Sequence, residues 1–244
     1  MTIWITGDTH IPIDISKLNS KKWPKGKELT REDYLIVAGD FGLVWEHTQP
    51  SREEINWTRW LQEKPWTTLF VDGNHECHPR LNALPSKQMF SSEVGVVADH
   101  IYHLRRGHIY TIPVIKNETK TFFVFGGADS IDKEYRIPFI SWWPEEIPSR
   151  EEFDRGWEAL DKVNWEVDYV ITHTAPESVI LSKGFSLWKP HDPTATMLEQ
   201  YWEKLTYKHW YFGHFHMDLV GAKETCLYQR IVQVIDKDVI MSGV

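Results

Sequence analysis

Two histidines one residue apart, His214 and His216, follow a strand-like run and a glycine in Trp210-Tyr211-Phe212-Gly213. Neutral imidazole is the commonest metal ligand, and this placement lets both rings serve the same side of a sheet. Four further stretches share the pattern of a strand, a Gly or Thr, and then Asp, Asn or His: Gly7-Asp8-Thr9-His10, Gly39-Asp40, Gly73-Asn74-His75-Glu76 and Thr172-His173. Together they offer seven oxygen and nitrogen donors: Asp8, His10, Asp40, Asn74, His173, His214 and His216. Seven exceed what one tetrahedral zinc uses and suit two adjacent divalent cations. Two dications ~3.5–4 Å apart repel by on the order of 15–20 kcal/mol at an effective dielectric of about 20. Such a pair needs a shared anion, and Asp40, alone on its loop, is the natural bridge. A bridging hydroxide would be the second anion, its parent water brought from a pKa of ~15.7 toward neutrality.

The elements that must hold these residues are legible in outline. Ile3-Trp4-Ile5-Thr6 is a short strand, and Tyr34-Leu35-Ile36-Val37-Ala38 and Trp66 to Val71 are nearly continuous apolar runs, as strands buried on both faces require. Ser51-Arg52-Glu53-Glu54 and Ser149-Arg150-Glu151-Glu152 have capping-box spacing. Trp57, Trp60 and Leu61 continue the first as a helix, and Phe153, Trp157 and Leu160 the second. A short helical stretch is expected around Arg80 to Ala83. Strands are expected over Ile101 to Ile112, Thr121 to Phe125, Val167 to Ile171 and His209 to Phe212. Asp192-Pro193 opens a further helix, and Leu219 to Ile235 reads as β-structure with a turn near Lys223-Glu224. The segments 11–31 and 133–148 are polar or proline-rich excursions without an assigned role; the first reads as a local ornament, with a lid or binding loop as the alternative. The order of elements predicts an α/β architecture with much mixed sheet, read as one domain over residues 1–244. In such folds ligands gather beyond the carboxyl ends of strands, where all five stretches fall.

Composition narrows the partners. A formal charge of −8 argues against a broad duplex-binding face, which needs lysine and arginine to neutralise phosphates. It leaves room for a small phosphorylated substrate, because bound cations supply a local positive field. Two cysteines, Cys77 and Cys226, make no disulfide framework and suit a reducing compartment. No signal peptide of the usual form fits the first residues, and no apolar run approaches the ~20 residues that span a bilayer. The expectation is a soluble, cytoplasmic protein.

The residues resemble the calcineurin-like metallophosphoesterases. Asp-x-His at Asp8 and His10, Gly-Asp at Asp40, Gly-Asn-His-Glu at Asn74 and His75, a lone His173 after a strand, and Gly-His-x-His at His214 and His216 match that family in order and spacing. The resemblance implies a four-layer α/β/β/α sandwich of two mixed sheets flanked by helices. It implies two divalent metal ions, Mn²⁺ foremost with Fe, Zn, Ni or Co as other occupants. Asp8, His10 and His216 would hold the first, Asn74, His173 and His214 the second, with Asp40 bridging. His75 would be catalytic, facing the phosphate and stabilising or protonating the leaving oxygen, with in-line attack by the metal-bound hydroxide on a phosphate mono- or diester. The family's Ser/Thr protein phosphatases follow their Gly-Asp with a second Asp and a phosphate-clamping Arg. Here Phe41-Gly42-Leu43-Val44-Trp45 follows, which disfavours that branch. Arg136 is the candidate replacement clamp, with a surface salt bridge as its alternative role; Trp142 or Trp143 could stack on a base or an aromatic substrate. A nuclease or nucleic-acid end-processing phosphatase, which the Lys21 to Lys27 cluster keeps open, and a catalytically silent binding scaffold are the alternatives. The natural substrate and the oligomeric state are not fixed by these residues.

Overall fold

The computed structural model describes residues 1–114, 118–185 and 191–234. Its strands are β1 (Ile3–Gly7), β2 (Tyr34–Ala38), β3 (Thr67–Val71), β4 (Ser86–Met89), β5 (Ser92–Ala98), β6 (Ile101–Leu104), β7 (His108–Pro113), β8 (Thr119–Phe125), β9 (Tyr169–Thr172), β10 (His209–Phe212), β11 (Leu219–Val220), β12 (Glu224–Cys226) and β13 (Val232–Gln233). The helices are α1 (Arg52–Gln62), α2 (His78–Asn82), α3 (Arg150–Lys162), α4 (Glu177–Ser182) and α5 (Pro193–Trp202). Two mixed sheets form, ordered β13-β1-β2-β3-β6-β5-β4 and β11-β12-β10-β9-β8-β7. The middle strands of each run parallel, β1-β2-β3-β6 in one and β8-β9-β10-β12 in the other.

Strand alternation sorts side chains into three apolar layers. Ile3, Ile5, Ile36, Leu69 and Val71 face inward against Ile112, Phe122, Val124, Ile171 and Tyr211 of the other sheet. Their sequence neighbours Trp4, Leu35, Val37 and Phe70 point outward, where Leu61 of α1 and Trp23 cover them. On the far side Phe123, Phe125, Val170, Trp210 and Phe212 pack under Phe153 and Leu160 of α3, Val179 of α4 and Leu198 and Tyr201 of α5. This is the expected α/β/β/α layering. It also explains why the strands read as unbroken apolar runs: both faces are covered.

Both capping boxes are present, with Ser51 accepting from Glu54 and Ser149 from Glu152 while each glutamate returns to the serine's backbone. Several expectations are corrected. The stretch 101–112 is two strands in different sheets, broken at Arg105-Arg106-Gly107, where Gly107 takes φ 74°. The hairpin of β4 and β5 had no signal, because its turn places Phe90 and Ser91 at φ 57° and 63° rather than using Gly or Asn. The helix expected over 80–83 runs instead from His78 to Asn82, and α4 was not anticipated. The 11–31 segment adds Ile15, Leu18, Trp23 and Leu29 to the outer core, so it belongs to the helical layer. Of the expected tail, Ile235 lies outside the described residues.

Candidate active site

Five of the parallel strands deliver candidate donors one to four residues past their carboxyl ends: Asp8 and His10 after β1, Asp40 after β2, Asn74 and His75 after β3, His173 after β9, and His214 and His216 after β10. The in-register parallel pairing of β1, β2 and β3 brings the first three loops level. Four of these residues adopt left-handed backbone: His10 at φ 34°, Asp40 at 45°, His214 at 69° and His216 at 50°. Non-glycine residues rarely do so, and such conformations concentrate at functional sites. Neighbouring loops hold them, as where Thr9 and His10 both donate their backbone N–H to the Asp40 carbonyl at 3.0 and 2.9 Å. The packing leaves no room for a side chain on the motif glycines Gly7, Gly39, Gly73 and Gly213. A Cβ on Gly39 would overlap the His173 ring, and one on Gly73 would overlap the Asp40 carboxylate.

The seven sequence-predicted donors converge as two adjoining groups. Asp8, His10, Asp40 and His216 each offer one ligand atom, all within 4.8 Å of one another. In the second group His173 Nε2 lies 3.0 Å from Asn74 Oδ1 and 3.2 Å from His214 Nδ1. Asp40 belongs to both, with Oδ2 3.1 Å from His10 Nε2 and Oδ1 3.3 Å from His173 Nε2. Outer partners fix the orientations. His173 donates from Nδ1 to the Ala38 carbonyl at 3.2 Å, and His10 Nδ1 to Asp14 at 2.8 Å, which turns each Nε2 inward. Asn74 donates from Nδ2 to Ser130 Oγ at 3.1 Å, and Ser130 donates in turn to Glu146 at 2.5 Å, so the amide oxygen faces the site.

Residues 1–218 match the family model of the calcineurin-like phosphoesterases. The chain belongs to that family. Among solved structures it is similar to a phosphopantetheinyl hydrolase from Mycobacterium tuberculosis, at 16% identity and a TM-score of 0.46, over 97% of this chain and 96% of that one. No curated protein matches it in sequence. As a calcineurin-like phosphoesterase the chain is in general type a metal-dependent phosphoester hydrolase.

The electrostatics of this calcineurin-like phosphoesterase suit cations. Asp8 and Asp40 are buried carboxylates, 0% and 1% exposed, and buried charge demands a partner. Burial pushes Asp8 up to about 6 against the pull of His173. Asp40 suffers the same burial yet is held well below the carboxylate range by His173 and His75. Burial works against charge on His173 and His10, but Asp40 overrides it and lifts them to about 10 and 9. His214 goes down to about 3 through burial and the neighbouring His173. Carboxylate, imidazole and amide-oxygen donors in this set fit divalent Mn, Fe, Zn, Ni or Co.

His75 and Arg136 sit on the open side. His75 shares a hydrogen bond between Nδ1 and Asp40 Oδ2 at 2.9 Å, and the Arg136 guanidinium meets its Nε2. Arg136 also pairs with Asp132 at 2.7 Å and lies 5.7 Å from the Trp45 ring centre. Trp143 is buried and Trp142 lies outside the lining of the adjoining groove, which Trp45 does line, backed edge-on by Trp143 at 5.8 Å. Glu76 ties loops together: its oxygens accept from Gly42 N–H at 3.1 Å and Gly73 N–H at 2.7 Å. Lys17, buried, donates to the carbonyls of Gly7 and Asp8 at 2.5 and 2.9 Å and to that of Tyr228. Sequence reasoning missed Lys17, Trp45, Ser130 and Glu146. Only Ser130 had a signal, lying past the end of β8 as the ligands do past theirs.

Proposed function

We propose that this chain, read as one domain over residues 1–244, hydrolyses phosphate mono- or diesters at a two-metal site. Asp8, His10 and His216 would hold one divalent ion, Asn74, His173 and His214 the other, and Asp40 would serve both. The observation that carries the reading is Asp40, whose two oxygens each face a different donor group while His75 is bonded to one of them. Divalent ions, Mn²⁺ foremost, would when bound there polarise the phosphoryl group and supply a water-derived nucleophile near neutral pH. The protein's own residues do the rest. Arg136 binds the phosphoryl oxygens beside His75 Nε2, which supplies the proton that the departing oxygen needs. Asp40 orients the His75 ring through Nδ1. In-line displacement then requires no phosphorylated enzyme.

The assay is turnover of p-nitrophenyl phosphate and its bis ester with Mn²⁺. The expected result is metal-dependent hydrolysis, inhibited by chelator. No turnover of either ester by protein with two metal equivalents bound would point to the silent scaffold and overturn the reading. Cys77 and Cys226 are both buried thiols, and among the described residues no helix is long and apolar enough to cross a membrane. The buried thiols fit the proposed cytoplasmic setting.

A further inference from the structure

A groove of about 690 Å³ opens from the metal end of the site, and its walls carry a record of what accompanies the phosphate. At the inner end stand His10, His75, His216 and Arg136. Beyond them the lining carries three aromatic rings from separate segments, Trp45 after β2, Trp57 on α1 and Tyr228 after β12, beside the aliphatic run Ile11-Pro12-Ile13. Two of these surfaces are braced. Trp45 is backed by Trp143, and Tyr228 is stacked on His216 at 5.0 Å and bonded through its hydroxyl to Asp14 at 3.0 Å. Rigid rings offer stacking area at little entropic cost.

The charges of the lining are as informative. Its acids divide into engaged and open. Asp14 is bonded to His10 and Tyr228, and Glu54 to Arg80 and the backbone N–H groups of Trp45, Glu46 and Ser51. The side chains of Glu46 and Glu53 have no hydrogen bond or ion pair among the described residues. Arg136, at the phosphate end, is the only Lys or Arg among the lining residues. A second phosphate or a continuing nucleic-acid backbone would therefore meet open carboxylates, whereas a ring bearing N–H groups would meet acceptors.

We propose that the substrate is a nucleoside monophosphate, with its base stacked along Trp45 and Trp57 and its N–H donors turned to Glu46 and Glu53. This rests on the phosphoesterase reading above. The reaction consumes water, breaks the bond between phosphorus and the ribose oxygen, and passes the His75 proton to that oxygen, giving nucleoside and inorganic phosphate.

Two measurements test it. The first compares kcat/KM for adenosine and guanosine 5′-monophosphates with ribose 5-phosphate, which has the same leaving oxygen and lacks only the base. One stacked base is worth a factor of about 5 to 150, so a preference of that size for the nucleotides is expected. The Trp57→Leu variant should lower that ratio at least about fivefold. Nucleoside di- and triphosphates and oligonucleotides should be poorer substrates than the monophosphates. The second measurement is calorimetric binding of adenosine, guanosine and ribose to the protein without added metal, in which only the nucleosides should bind. Equal rates with and without the base, or nucleosides that fail to bind, would overturn the proposal. If no ester is hydrolysed yet nucleosides bind and Trp57→Leu abolishes that binding, the base site stands and the phosphoesterase reading fails.

Discussion

His75 draws its orientation from Asp40 and meets Arg136 on its other nitrogen, so its role can be separated from metal binding. His75→Asn should lower kcat about 10²- to 10⁴-fold, the range for losing a positioned proton donor. Elemental analysis should show the metal content unchanged, and unchanged turnover would remove His75 from the mechanism. Arg136→Met should lower kcat/KM by about tenfold or more, the order expected when a charge-assisted contact to phosphate is lost, with phosphate inhibition weakened in parallel. The donor set was legible because Asp, Asn and His after Gly or Thr at strand ends are uncommon without a task. Glu146 was not: it sits in a proline-rich segment, and only folding brings it to Ser130, whose hydroxyl turns the Asn74 amide. Trp45 was invisible for a similar reason, since a chain with 13 Trp gives no hint which ring lines a groove.

Loops and strands are joined by a few buried acids whose removal should be felt away from the chemistry. Glu76 bonds the loop after β2 to the loop after β3, so Glu76→Gln leaves one N–H facing an amide donor. A destabilisation of about 1–3 kcal/mol is expected in denaturant unfolding, together with weaker metal affinity. Asp168 joins β8 to the start of β9 by accepting from Thr121 N–H at 2.9 Å, and pairs with Lys208 at 2.8 Å. Despite burial, Lys208 and Thr121 hold its carboxyl below the usual range. A depressed carboxylate contributes stability that is present above its unfolded pKa, about 3.9, and lost as pH falls through the lower folded value. Asp168→Asn should therefore melt below wild type at pH 7, the gap closing as pH is lowered past about 4. The helices α1 and α3 were readable from their capping boxes, because a cap is a local interaction. The β4–β5 hairpin was not, since its partners are decided by pairing with β6.

The proposed ligands come from both sheets: Asp8, His10, Asp40 and Asn74 from the seven-stranded one, His173, His214 and His216 from the six-stranded one. Any ion held by both favours the folded molecule over the unfolded chain. At a free Mn²⁺ concentration of 100 times Kd the gain is about 2.7 kcal/mol, or roughly 5–11 °C in Tm for a chain of this size. Calorimetry against Mn²⁺ concentration, reversed by chelator, checks this, and a flat response would count against coordination across the sheets. That the strands are covered on both faces followed from unbroken apolar runs, and the four layers from the family resemblance. Strand order did not, because the passage from β6 to β7 between sheets turns on Arg105 to Gly107, within a run that otherwise reads as one strand.

The crowding of Gly39 against His173 and of Gly73 against Asp40 has an evolutionary consequence. Each loop is shaped by the donor of another, so the proposed catalytic pocket cannot be altered one segment at a time. In a saturation-mutagenesis survey these two glycines should tolerate replacement as poorly as the proposed ligands, although neither offers a side chain of its own. Redesign of the metal preference would have to change paired loops together.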